Sequence, residues 1–312
     1  MKSFITIILI LFSAAISAQS FFSSDGIRYR IIIEADESSS TGTVAVTAQD
    51  DMPYQGSVTI PNAVTQYEGN YVDKYKVVAI DASAFKGCVA LVSVSLPMSL
   101  ERIGDRAFEG CICLSSIEFP AIGNVSSLGE GVFAESGLET ISLPEGIQMI
   151  PNRAFHNCKS LKTVKLPNSL RRIGLSAFMG CASLEAIDLP EGLIEIQSGC
   201  FTWSGISNIK IPHNVMVIPD AAFVGCINLK SVELSTKTVK LGASAFGYCM
   251  KLSSINKPES LRSIDPHAFD CCPLIPDYYK EYDSTSGSMS AEVLQSVYDN
   301  QYKTVFGSYP KK

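Results

Sequence analysis

Residues 173–190 read Ile-Gly-Leu-Ser-Ala-Phe-Met-Gly-Cys-Ala-Ser-Leu-Glu-Ala-Ile-Asp-Leu-Pro, and residues 80–97 follow the same plan almost position by position. The phenylalanine of this plan recurs along the chain at intervals of 22 to 25 residues. The nine members of the row are Phe85, Phe108, Phe133, Phe155, Phe178, Phe201, Phe223, Phe246 and Phe269. Units that keep this register predict a solenoid, in which each unit buries its apolar side only against its neighbours.

Three other positions repeat together with phenylalanine. Ile or Leu stands five residues before each Phe, and Ala, Val or Cys stands directly before it. Three residues after Phe, seven units carry Cys and two carry Ser, at Ser136 and Ser204. Gly137 and Gly205 follow these serines, and the next strand begins one residue earlier there. We expect the glycines to permit a tighter turn.

A run of Leu-x-x-Val/Ile-x-Leu-Pro follows the cysteine, as at residues 91–97, 161–167 and 184–190, and it predicts a short strand. The apolar pairs Val94/Leu96 and Val164/Leu166 have the period-2 spacing of a strand that buries one face. Proline cannot donate a ladder hydrogen bond, so it ends the strand. The interval lies in the range of leucine-rich repeats. We therefore predict a right-handed leucine-rich repeat solenoid of about nine 22–25-residue repeats, with parallel strands on its concave face.

The full phrase Ile-x-x-x-Ala-Phe-x-Gly-Cys-x-x-Leu-x-x-Val-x-Leu-Pro closely resembles the BspA-type leucine-rich repeat proteins across residues 80–272. The strand-like stretches before it, at 26–29, 43–46 and 57–61, are similar to the β-rich N-terminal cap common in that family. The resemblance implies an exported bacterial protein, and adhesion to host matrix proteins or to other cells is what the better-known members do. A solenoid fold by itself identifies no ligand.

The chain divides into four predicted parts. Residues 1–18 have one cationic residue, an apolar run and small residues up to Ala18, the layout of a secretory signal peptide that is too short to span a membrane. We expect cleavage near Ala18 and an exported product that is secreted, periplasmic or at the cell surface. Residues 19–79 form the predicted cap, 80–272 the solenoid and 273–312 a C-terminal cap or tail. No later apolar run is long enough to be a transmembrane segment.

The two flanks carry further expectations. Ser38–Gly42 is predicted as a hairpin connection, and residues 291–302 as a short helix with Ser290 as its N-cap. We expect the tail tyrosines to dock on the last repeat, with contact to a partner as the alternative. They are Tyr278, Tyr279, Tyr282, Tyr298 and Tyr302.

Composition and motifs argue against several function classes. The formal net charge is −6 and the basic residues are dispersed, so no surface for nucleic acid is indicated. No Gly-x-Ser-x-Gly elbow, phosphate loop or His-Glu-x-x-His pattern occurs. His156, His213 and His267 fall at different phases of the repeat, which argues against a shared metal site. We predict a protein that is not an enzyme and that has no cofactor and no metal.

The ten cysteines are interpreted through the repeat. Seven share one column, where buried, reduced thiols are expected because parallel Cβ vectors fit disulfide geometry poorly. Cys200 replaces the small residue beside Phe201 and is expected in the core. Cys113 and Cys271 lie outside both columns, and we expect Cys271, next to Cys272, to be the thiol most open to oxidation or solvent.

Charged side chains mark the outward side of the predicted strands and alternate in sign along the stack. The candidate partner contacts are Glu118, Glu139, Lys162, Lys165, Glu185, Asp188, Lys210 and Glu233. Opposite charges on neighbouring strands stabilise each other modestly, so this surface is either a self-compensating solvated face or a protein-binding face. Either interpretation disfavours a ligand of one strong charge sign.

The function predicted from these observations is an exported, non-enzymatic protein-binding module, in adhesion to host matrix or cell-surface proteins. The alternatives are a glycan-recognition protein and a structural assembly protein of the cell envelope. Glycan recognition would favour exposed aromatic residues at corresponding strand positions, where none occurs, and Trp203 is the only Trp of the chain.

Overall fold

The computed structural model describes residues 20–34, 41–50, 52–68 and 71–282. The predicted signal peptide, residues 38–40 of the predicted hairpin connection and the predicted helix at 291–302 lie outside these ranges. Thr41 and Gly42, which were predicted as part of that connection, instead begin strand β3 (Thr41–Val46).

The nine phenylalanines form one continuous row of rings through the core. All are fully buried, and successive centroids lie 4.9 to 5.7 Å apart in stacked pairs. Tyr54 extends the row before Phe85 at 4.5 Å, and Tyr279 extends it after Phe269 at 4.8 Å. The ring spacing is close to the roughly 4.8 Å between hydrogen-bonded strands, so the rings and the strands stack with one period. The predicted solenoid is confirmed.

The predicted strands form a first row of parallel pairings. Their middle apolar residue is buried, and most of its neighbours are exposed or half-buried. The members of this long-strand row are β7 (Leu91–Ser95), β9 (Ser116–Glu118), β11 (Thr140–Ser142), β13 (Thr163–Lys165), β16 (Asn208–Lys210), β18 (Ser231–Glu233) and β20 (Ser254–Ile255). Residues 186–188 occupy the same place in their coil without forming a strand.

A second row of two-residue strands was not predicted. Each ends at the Ile or Leu that stands five residues before a Phe, and pairs in parallel with at least one neighbouring coil. The members of this short-strand row are β8 (Arg102–Ile103), β10 (Ser127–Leu128), β12 (Met149–Ile150), β14 (Arg172–Ile173), β15 (Glu195–Ile196), β17 (Val217–Ile218), β19 (Lys240–Leu241) and β21 (Ser263–Ile264).

Two prolines interrupt the short-strand row. In other coils, the residue after the buried Ile or Leu donates its N–H to the coil before, as from Gly174 N to Ile150 O at 2.8 Å and from Gly242 N to Ile218 O at 2.9 Å. Pro151 and Pro219 hold this position in two coils and have no N–H to donate. The row accordingly divides between β10 and β12 and between β15 and β17.

The turn after each Phe uses the left-handed backbone region. The second residue after Phe has a positive φ in all nine coils, and in four of them it is glycine. Cys271 occupies this position with φ 59° and is only 4% exposed. The expectation that Cys271 is exposed is therefore wrong, because its backbone place is the one that glycine fills elsewhere and its side chain packs against Met250.

The cysteine column connects neighbouring coils. None of the ten cysteines forms a disulfide, and only Cys113 is exposed. Six column thiols donate to the Phe carbonyl of the preceding coil at 2.9 to 3.2 Å, as from Cys181 Sγ to Phe155 O at 3.1 Å. Burial raises the pKa of Cys158 and Cys226 to about 11, so both thiols keep the proton that they donate.

The cap continues both strand rows. Its strands are β1 (Phe21–Ser24), β2 (Ile27–Ile33), β3, β4 (Gly56–Thr59), β5 (Ala63–Glu68) and β6 (Tyr71–Ile80). Strand β4 pairs in parallel with β7, and β6 pairs with both β3 and β8. Arg30 of β2 donates to both oxygens of Asp81, the residue after β6, at 2.6 and 2.7 Å. Because β6 runs from Tyr71 to Ile80, the predicted boundary between residues 79 and 80 lies inside this strand.

A 3₁₀ helix (Asp277–Tyr282) covers part of the last coil. Tyr279 is fully buried, and its hydroxyl donates to Asn256 O at 3.1 Å. Tyr278 donates to Ile255 O. These two tail tyrosines dock on the last repeat as expected, whereas Tyr298 and Tyr302 lie outside the described residues, and the side chain of Tyr282 is also not described.

Two glycine substitutions separate backbone strain from close packing. A Cβ on Gly87 meets nothing within 4 Å, so Gly87→Ala carries only the left-handed φ of 70°, which costs about 1–2 kcal/mol. A Cβ on Gly137 would clash with Ile112 O of the preceding coil. We expect Gly137→Ala to lower the free energy of unfolding, measured by urea titration, by at least twice as much as Gly87→Ala does. Equal losses would contradict the close-approach explanation.

Thiol accessibility tests the cysteine column. We expect Ellman's reagent at about pH 8 to modify one thiol quickly in the folded protein, since Cys113 alone is exposed, and the other nine only in denaturant. Cys113→Ser should abolish the fast phase. A second fast thiol in the wild-type protein would show that the column, or Cys271, opens to solvent.

Candidate binding faces

The structure places all eight predicted contact residues in solvent. Glu118, Lys165, Lys210 and Glu233 end strands of the long-strand row, and Asp188 holds the same place in the coil that lacks a strand. Glu139, Lys162 and Glu185 lie just before the strand position of their coils. We call the surface formed by these eight side chains the long-strand face.

The predicted pairing of opposite charges holds at one point on this face. Lys162 Nζ lies 2.7 Å from Glu139 Oε2, one coil away. Lys210 instead has its nearest carboxylate at Glu191, 4.0 Å away, with both side chains about two-thirds exposed. Among the described residues, no ion pair joins Lys210 to Asp188 or Glu233, or Lys165 to Asp188. The alternating charges from residue 165 to 233 therefore do not form a ladder of ion pairs, because flexible, hydrated head groups gain little from pairing there.

Three of the eight residues line one groove. Asp188, Lys210 and Glu233 border a groove of about 640 Å³ whose floor includes Ile209 and Val232. The groove also contains hydroxyl and amide groups. These belong to Asn208, Ser231, Ser254 and Asn256.

Some of these polar groups are fixed by contacts between coils. Ser231 donates its hydroxyl to Asn208 Oδ1 at 2.6 Å. The Asn256 amide accepts from Leu234 N at 2.6 Å and donates to Leu234 O at 3.0 Å. The charged head groups at the groove are not fixed in this way, so they remain available to a partner.

Sequence reasoning missed a second exposed surface along the short-strand row. Leu175, Ile194, Met216 and Val217 are each between 42% and 51% exposed and line a groove of about 620 Å³. The signal was present in the repeat, because other coils carry polar residues in the column of Ile194. It was missed because the short-strand row itself was not predicted.

Neither surface has the features of a metal site. In the described ranges, no group of three or more His, Cys, Asp or Glu side chains could hold a metal ion. The only helix described is the short 3₁₀ turn, and no helix in that part of the chain is long and apolar enough to cross a membrane.

Comparison with known families identifies the repeat. The family model of the BspA type leucine rich repeat region matches in six copies over residues 78–204 and 148–276, which together are more than half of the chain. The chain belongs to this family. The BspA-type match covers the coils described above, from the end of β6 to the start of the 3₁₀ turn.

Two solved structures have a similar fold. The pneumococcal vaccine antigen PcpA is 19% identical, with 82% of this chain and 80% of that chain covered and a TM-score of 0.59. A leucine rich cell surface protein from Faecalibacterium prausnitzii is 24% identical, with 82% and 81% covered and a TM-score of 0.50. At these identities the likeness shows the fold. No curated protein matches the chain.

A pair of double-mutant cycles tests the charge arrangement. We expect Lys162→Ala and Glu139→Ala to show a coupling of about 0.2–1 kcal/mol in the free energy of unfolding, which weakens as salt is added. The matched cycle of Lys165→Ala and Asp188→Ala should show no coupling, since no ion pair joins them. Equal coupling in the two cycles would mean that the whole ladder pairs in solution.

Proposed function

We propose that this BspA-type protein is an exported, non-enzymatic protein-binding module that adheres through its long-strand face to host extracellular or cell-surface proteins. The observation that carries the proposal is the groove bordered by Asp188, Lys210 and Glu233. These charges are solvated, and the one ion pair among them, Lys210 with Glu191 at 4.0 Å, joins two side chains that are about two-thirds exposed. A solenoid offers such a surface without altering its core, because each coil needs only its buried columns.

The charge pattern limits the partner. Lys210 lies between acidic residues, and Glu191 is a further acid at the groove. A mixed-sign surface favours a polypeptide with the complementary mixed pattern, and electrostatic complementarity gives specificity and fast association more than raw affinity. A polyanion would meet the acidic side chains and be repelled.

Glycan recognition is the second candidate, and the amides and hydroxyls at this groove are what favours it. Its lining contains no aromatic ring on which a sugar could stack. The two candidates therefore differ in how binding depends on charge. Protein binding should weaken when the charges at the groove are reversed, whereas glycan binding through amide hydrogen bonds should persist.

Charge reversal tests the proposal. Residues 19–312 are immobilised and probed with soluble host matrix proteins and, separately, with polysaccharides. We expect saturable binding of a matrix protein that the triple variant Asp188→Lys, Lys210→Glu, Glu233→Lys weakens at least tenfold. The control Glu135→Lys changes the net charge by the same amount at an exposed turn position and should bind normally.

The opposite outcomes are equally distinct. Matrix-protein binding that the triple variant leaves intact would remove the long-strand face as the site. Binding of polysaccharides alone, insensitive to charge reversal, would replace adhesion to proteins with glycan recognition.

A further inference from the structure

The short-strand row presents an apolar groove to solvent. Leu175, Ile194, Met216 and Val217 come from three consecutive coils and are exposed by 42%, 51%, 47% and 42%. Together with Pro219 they line a groove whose volume is about 620 Å³, which is within the usual size range of ligand pockets. Clustered exposed apolar side chains in a groove are typical of an interaction surface, whereas isolated ones are ordinary.

The other coils act as an internal control for this surface. The column that holds Ile194 and Met216 has an apolar residue in two other coils, Val78 and Val239, neither of which is exposed. In the remaining five coils it has a polar residue that is exposed, and these are Glu101, Ser126, Gln148, Arg171 and Arg262. The solenoid therefore does not require an apolar residue at this position, and the adjacent pair Ile194 and Met216 is not explained by folding.

The backbone at the groove is also unusual. The groove lies where Pro219 interrupts the short-strand row, between β15 and β17. Within the described residues, no hydrogen bond joins the backbones of these two strands. Backbone N–H and C=O groups require partners when they are covered, so an occupant of this groove must supply hydrogen-bonding groups as well as apolar surface. A polypeptide backbone supplies both.

The electrostatics select the occupant further. Glu195 is the one charged side chain among the residues that line the groove, and it is exposed. Its Oε1 accepts from Gln197 Nε2 at 3.2 Å, and in the described part of the chain no ion pair joins it to Arg172, its neighbour in the strand register. The complementary occupant carries one positive charge among apolar side chains.

We propose that this groove binds an extended segment of a protein partner, with apolar side chains on Leu175, Ile194 and Met216 and a Lys or Arg side chain at Glu195. Two coil steps span about 10 Å, which three or four residues of extended chain cover. The site is separate from the long-strand face and does not depend on the function proposed for it.

Fluorescence anisotropy with short synthetic peptides tests the site on the full chain. The probe is labelled Ser-Leu-Val-Lys-Leu-Val-Ser, compared with a peptide that has Glu in place of Lys and one that has Ser in place of each Leu and Val. We expect saturable binding of the first peptide alone. Ile194→Asp and Met216→Asp should each weaken it at least tenfold, whereas Ile122→Asp, the same change at a residue that is 83% exposed elsewhere, should not.

A charge swap makes the test specific. Glu195→Lys should reverse the preference, so that the Glu peptide binds at least tenfold more tightly than the Lys peptide. The triple variant of the long-strand face should bind the Lys peptide normally, which separates this site from the adhesion surface. No binding of the Lys peptide to the wild-type protein, or equal loss in Ile122→Asp and Ile194→Asp, would overturn the proposal.

Discussion

The turn at each phenylalanine fixes the register of the whole solenoid. The Phe N–H donates to the residue just before the next Phe, as from Phe155 N to Ala177 O at 2.8 Å, and in six coil steps the Phe carbonyl also accepts the thiol of the next coil, as Phe155 O does from Cys181 Sγ. Phe155 is thus joined to the next coil by a backbone hydrogen bond, a thiol hydrogen bond and a stacked ring. Because the coils contact only their neighbours, this repeated contact sets where every other column of the repeat lies.

Much of this arrangement could be predicted because buried columns tolerate little variation. The Phe row, the cysteine column and the long strands follow from residue type and spacing alone. The short-strand row escaped prediction because two residues cannot show a period. Cys271 was misjudged because its position is defined by a positive φ, which a sequence reveals only where glycine occupies it, as at Gly180.

The candidate contact residues were predictable as exposed, but not in their pairing. Spacing places Lys210 beside Glu233 in the strand register, yet the lysine head group lies near Glu191 of a loop. A long, exposed lysine side chain can reach several carboxylates, and the resulting ion pairs differ little in energy, so the strand register does not determine its partner. Glu139 and Lys162 do form an ion pair, so in the neighbouring column the position in the repeat predicts the partner correctly.

The two prolines of the short-strand row each lie at a groove. Pro151 and Pro219 remove the same N–H from the short-strand row, and each interruption borders a groove, of about 610 and 620 Å³. The groove at Pro151 is bordered by several charged residues, among them Arg102 and Glu130, whereas the groove at Pro219 has Glu195 as its one charged residue. Since both interruptions lie in the short-strand row and the phenylalanine row stays continuous, the exposed columns beside each proline can differ in chemistry while the buried columns keep the same register.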